Sequence, residues 1–123
     1  MSETVGPYTP LVRAGGWLVA SGQLGLVEGA LVAGGAPGEL RQAITNLGRL
    51  LSDAGASLGD VVKTTVFLTD MADYGPVNEA YAGAFGDHRP ARSAVAVAGL
   101  PLGAAVEIEA WAWVGDAAAP GAD

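Results

Sequence analysis

One arginine stands in a run that is otherwise small and apolar. In Arg89-Pro90-Ala91-Arg92-Ser93-Ala94-Val95-Ala96-Val97-Ala98-Gly99-Leu100-Pro101, strand alternation puts Arg92 in line with Ala94, Ala96 and Ala98, and puts Ser93, Val95 and Val97 on the other side. A planar guanidinium grips a carboxylate through two parallel hydrogen bonds, a geometry that a lysine point charge cannot reproduce. The chain has six Lys and Arg residues against thirteen Asp and Glu, so Arg92 serves either an anionic ligand or one of the chain's own acids. A second feature is the pair Glu107 and Glu109, two residues apart, whose carboxylates share one strand face. Such a pair can divide general acid and base work, one pKa raised by the other, or form salt bridges at a subunit interface. His88, the single histidine, reads as a solvated loop residue rather than as a metal ligand or triad member. Ser93 has no histidine base in a recognisable motif, which leaves serine-hydrolase chemistry unsupported.

The elements that must carry these residues follow from apolar periodicity. Leu11-Val12-Arg13-Ala14 and Trp17-Leu18-Val19-Ala20 flank Gly15-Gly16 as a tight hairpin, and a weak third strand falls around 24–27 or 30–32. Leu40, Ala43, Ile44, Leu47, Leu50, Leu51 and Ala54 form one apolar helix face between Pro37 and Gly55. A β-branched strand spans 61–68 after the turn residues Gly59-Asp60. A second helix runs from an Asp73 N-cap to Phe85, with Tyr74, Val77, Tyr81, Ala84 and Phe85 inward and Pro76 in its first turn. A loop over 86–90 leads to strands over 93–98 and 105–114. The order β-β-(β)-α-β-α-β-β indicates an α+β domain with both helices on one sheet face. On the last strand Glu107, Glu109, Trp111 and Trp113 share a face, and an uncovered tryptophan pair implies a homo-oligomer.

Composition narrows the function classes. The length of 123 residues fits one domain, taken as 1–115 with 116–123 as a disordered alanine- and glycine-rich tail. A net charge of −7 opposes the phosphate backbone, so nucleic acid is not expected as a partner. The absence of cysteine removes disulfides and thiolate chemistry. No run approaches a membrane span, and the first residues carry no secretory pattern, so the expectation is a soluble cytoplasmic protein without membrane association.

Six short motifs occur in order: Gly6-Pro7-Tyr8, Ala20-Ser21-Gly22-Gln23, the run from Gly59 to Leu68, Val77-Asn78, Pro90-Ala91-Arg92-Ser93, and Val106-Glu107-Ile108-Glu109-Ala110. Together they resemble the RidA (YjgF) family of reactive imine deaminases over roughly residues 5–114. The resemblance implies a chorismate-mutase-like mixed β-sheet with two helices on one face, assembled as a homotrimer with sites between subunits. It implies hydrolysis of 2-imino acids and their enamine tautomers, such as 2-aminoacrylate, to 2-keto acids and ammonia, with no metal or organic cofactor. It makes Arg92 the substrate-carboxylate arginine and Glu107 the water-activating carboxylate. Tyr8, Ser21, Gly22 and Asn78 are set around the pocket, where Gly22 would let an anion come close to its backbone. Three departures stand out: Ala94 where many members carry cysteine, a shorter loop from Phe85 to Pro90, and Arg89 in place of an aromatic residue. A binding module that holds 2-keto acids without turnover is the competing reading. An RNA-directed activity, also ascribed to the family, is opposed by the charge.

Overall fold

The structure, a computed structural model, describes residues 6–115; the tail read as disordered, 116–123, lies outside them. The Gly15-Gly16 turn joins β1 (Leu11–Ala14) to β2 (Trp17–Gln23), with Gly15 at a positive φ of 59°. The weak third strand is a hairpin of two-residue strands, β3 (Leu26–Val27) and β4 (Ala30–Leu31), forming a separate two-stranded sheet. Helix α1 (Gly35–Asp53) is followed by β5 (Val61–Leu68), α2 (Tyr74–Phe85), β6 (Ala91–Ala96) and β7 (Val106–Trp113). The main sheet has the order β1-β2-β7-β5-β6, antiparallel except for the β5–β6 pair, whose parallel crossover is α2. Parallel neighbours need a long crossover, and a helix of this length supplies it.

Both helices cover one face. Leu40, Ile44, Leu47 and Leu51 of α1 are at most 1% exposed and meet Leu18, Val66, Ile108 and Ala110 of the sheet in one core. Full burial of each such side chain contributes about 1.5–3 kcal/mol. The expected inward set of α2 holds for Val77, Tyr81 and Phe85. It fails for Tyr74, which is exposed, because the first turn of α2 overhangs the edge strand β6 instead of the core. The Asp73 side chain makes no capping bond; Asp70 accepts from the Ala72 N–H at 2.9 Å and caps the preceding short turn of 3-10 helix. Among the described residues no helix is long and apolar enough to cross a membrane.

The opposite sheet face carries Trp17, Val19 and Ser21 of β2, Lys63, Thr65 and Phe67 of β5, and Glu107, Glu109, Trp111 and Trp113 of β7. Trp17 meets both other tryptophans edge to face, at centroid distances of 5.8 and 5.0 Å, yet Trp111 and Trp113 remain 44% and 42% exposed.

Candidate active site

Glu107 projects from β7 on this open face, opposite Phe67 of β5. Its neighbour on the other side is β2, where the register slips between Ala20 and Gln23. The slip turns Gly22 towards the carboxylate, in keeping with the use of bulges to re-aim groups beside sites. A Cβ on Gly22 would overlap the Glu107 carboxylate, standing 2.6 Å from its Cδ. The anion that the missing side chain admits is therefore Glu107 itself. Burial, and then the nearby charge of Glu109, raise the Glu107 carboxyl above its usual value of 4.5. Tyr8, Ser21, Gly22, Leu24, Pro101, Glu107 and Glu109 line a cleft of about 350 Å³, a size suited to a small molecule. Ser21 helps to build it: its hydroxyl donates to the Thr9 carbonyl at 2.7 Å and its N–H to that of Pro10 at 2.8 Å, tethering the segment that carries Tyr8.

Arg92 lies elsewhere. On β6 it pairs with Thr64 of β5, a position on the helix-covered face, so its guanidinium and the Glu107 carboxylate point away from each other across the sheet. The guanidinium carbon sits 4.9 Å from the Tyr81 ring centroid and 5.5 Å from that of Tyr74. One of its N–H groups donates to the Tyr74 hydroxyl at 3.2 Å. Tyr81 is fixed in turn by a 2.7 Å hydrogen bond with the fully buried Thr64 hydroxyl, and burial raises its phenol pKa above 10.0. Among the described residues the partners of Arg92 are thus aromatic and none is a carboxylate. The alternative in which it merely pairs with an acid of its own chain has no support there.

Asn78 occupies the same α2 face, one turn after Tyr74 and one before Tyr81, and its buried Oδ1 has no hydrogen-bond partner among the described residues. The expected site residues thus divide into two groups. Tyr8, Ser21, Gly22 and Glu107 share the open-face cleft, while Arg92 and Asn78 stand at the helix-face edge. Tyr74 and Tyr81 were not expected to hold Arg92; their spacing of i and i+7 with Asn78 between them was the available signal. His88 differs from the solvated loop reading. It is half-buried, its Nε2–H donates to the Val61 carbonyl at 2.7 Å, and its ring leans on Phe85. Arg89 donates to the carbonyls of Gly86 and His88, closing the same loop on itself.

Known proteins are similar to this chain along most of its length. A family profile described as endoribonuclease L-PSP matches residues 2–114. The chain is 49% identical over 108 residues to a Mus musculus protein named 2-iminobutanoate/2-iminopropanoate deaminase, covering 86% of this chain and 80% of that one. RidA from the Antarctic bacterium Psychrobacter superposes with a TM-score of 0.87 at 38% identity, covering 91% of this chain and 92% of that one. E. coli TdcF, solved with bound serine, gives a TM-score of 0.84 at 36% identity, covering 89% and 90%. With a matching sheet, matching helices and a profile that spans nearly its whole length, this chain belongs to the L-PSP family, also called RidA or YjgF.

Proposed function

We propose that the chain is a cofactor-independent hydrolase that deaminates 2-imino acids and their enamine tautomers, such as 2-iminopropanoate and 2-aminoacrylate, to 2-keto acids and ammonia. The observation that carries this reading is the Glu107 carboxylate, crowded against Gly22 in a small-molecule cleft with its pKa raised. The deaminase name of the mouse relative and the serine bound to TdcF give the substrate class, a small α-amino-acid skeleton. In the step itself Glu107 takes a proton from water as the oxygen adds to the iminium carbon. It returns that proton to the nitrogen of the tetrahedral adduct. The carbon–nitrogen bond then breaks as the adduct hydroxyl gives its proton to Glu107, leaving keto acid and ammonia, and that last proton leaves with the ammonia as ammonium. Its raised pKa suits a group that must both take and give a proton.

Arg92 binds the substrate carboxylate in this scheme, and it faces away from Glu107 of its own chain. The working site therefore joins the Glu107 cleft of one subunit to Arg92 and Asn78 of the next, in a homotrimer whose contacts cover the tryptophan face. Tyr8 and Ser21 close the cleft around the ligand. The cytoplasm remains the proposed location. The family description names an endoribonuclease, but the −7 charge weighs against a polyanionic substrate.

Imines generated in situ by an amino acid oxidase, with unhydrolysed imine trapped chemically, provide the test. Accelerated keto-acid release by a trimer is the expected result. Tight keto-acid binding without acceleration would favour the binding module, and salt-sensitive RNA binding in its place would overturn the hydrolase reading. A monomer at micromolar concentration in light scattering would contradict the shared site.

A further inference from the structure

Glu39 is a carboxylate that the proposed chemistry does not use, yet it is 8% exposed. Acidic side chains are seldom this buried without a partner. Its partner lies 66 residues away: Oε1 accepts the Ala105 N–H at 2.8 Å. Ala105 immediately precedes β7 and lies two residues before Glu107, and its carbonyl accepts from the Thr69 N–H at 3.2 Å. The start of β7 is thereby held from the helix layer on one side and from the sheet on the other.

The same stretch of α1 holds the facing wall of the cleft. Gly25 packs directly on the Glu39 backbone, where an added Cβ would come within 2.6 Å of the Glu39 Cα. Further along α1, Gln42 donates to Asn46 Oδ1 at 2.9 Å, which turns the Asn46 amide N–H groups towards the carbonyls of Leu24 and Leu26 at 3.2 and 3.0 Å. Leu24 lines the Glu107 cleft. One polar ridge of α1 thus ties down both the β2 end and the β7 start, the two segments between which the Glu107 carboxylate meets Gly22.

We propose that Glu39 is a positioning residue for Glu107: by holding the Ala105 N–H it fixes the backbone from which Glu107 projects against Gly22. The catalytic consequence rests on the hydrolase reading, whereas the geometric one does not. The groups facing Glu107 are Glu109 on its own strand, Tyr8 of the N-terminal segment, the uncharged Ser21 and Gly22 of β2, and Phe67 of β5. Lys63 is the charged residue of β5 on this face, two same-face positions away opposite Trp111.

The test is a carboxylate NMR titration of Glu107 in the full-length protein, together with steady-state kinetics, for wild type, Glu39→Ala and Glu39→Gln. Glutamine keeps an acceptor for the Ala105 N–H while removing the same charge as alanine, so the two variants separate hydrogen bonding from charge. In Glu39→Ala the Glu107 pKa is expected to fall towards its ordinary value and kcat to drop about 10- to 100-fold, with KM little changed because Arg92 is untouched. Glu39→Gln is expected to restore both. If alanine does not fold, Glu39→Met fills the space without an acceptor and carries the same expectations. A Glu107 titration unchanged in the alanine or methionine variant, or a glutamine variant as impaired as they are, would overturn the positioning role. A titration that shifts as expected in a protein with no imine turnover would overturn the hydrolase reading alone.

Discussion

The two faces of the sheet each present one charge to which the proposed function gives a role, and they hold it in opposite ways. On the helix face Arg92 is held by what surrounds it: two tyrosine rings, a hydroxyl acceptor, and the buried Thr64 that pins one ring. On the open face Glu107 is held by what is missing, a side chain at Gly22, and by a neighbouring carboxylate that it would rather avoid. Aromatic packing fixes the orientation of the planar guanidinium fork, as a carboxylate clamp requires. Crowding and like charge make a carboxyl ready to accept and release a proton, as acid–base work requires. Neither face has both halves, so under the proposed function assembly is part of the mechanism.

The largest effect is expected at the open face. Glu107→Gln keeps shape and hydrogen bonding but removes the proton carrier, and turnover should fall about 100- to 10,000-fold while keto-acid binding survives. Glu109→Gln should cost far less and move the acid limb of kcat/KM to lower pH, since one cause of the raised Glu107 pKa is gone. Equal loss in the two variants, measured by single-turnover kinetics, would remove the distinction between them. Stability should move the other way. Because the Glu107 pKa is raised on folding, the folded state binds that proton more tightly. The resulting stability is full below the unfolded value near 4.5 and is lost as pH rises through the folded value. Glu107→Gln, neutral throughout, should therefore melt higher than wild type at neutral pH and show no such gain under acid conditions.

At the helix face Arg92→Lys should lower kcat/KM about 30-fold to several thousand-fold, because an ammonium keeps the charge but not the fork. Near-normal turnover in a folded variant would make Arg92 structural. A smaller effect is expected from Gly22→Ala. The backbone tolerates alanine there without a positive φ, but the methyl group displaces the Glu107 carboxylate and should lower kcat about 10- to 100-fold with a near-native melting curve. An unaffected kcat would mean that the contact with Gly22 does not set the geometry of Glu107.

Much of this was legible in the chain, and the limits have physical causes. The alternation of β7 gave the shared face of Glu107, Glu109, Trp111 and Trp113, because side-chain direction has period two whatever the sheet order. The α1 face was equally plain from its leucines. Which face of the sheet Arg92 occupies was not legible, since that depends on the parallel pairing of β6 with β5, a long-range register that no local pattern encodes. Tyr74 read as core for the same reason: helical periodicity reports a face but not what lies opposite it. Gly22 was read as a place where an anion comes close to the backbone; the carboxylate that meets it belongs to Glu107, on a strand 85 residues further along, a pairing that no local pattern encodes. Glu39 was not legible as a site-building residue, because its partner, the Ala105 N–H, lies 66 residues away in the chain.

The central claim is that a working site takes Glu107 from one subunit and Arg92 from another, and the most direct measurement mixes two inactive proteins. Arg92→Ala and Glu107→Gln chains, each without activity alone, are unfolded together in equal amounts, refolded and assayed for imine hydrolysis. Random assembly joins an intact Glu107 to an intact Arg92 across about one subunit boundary in four, so activity should return to about a quarter of the wild-type value. Mixed trimers, verified by mass, that stay as inactive as either parent would contradict the shared site.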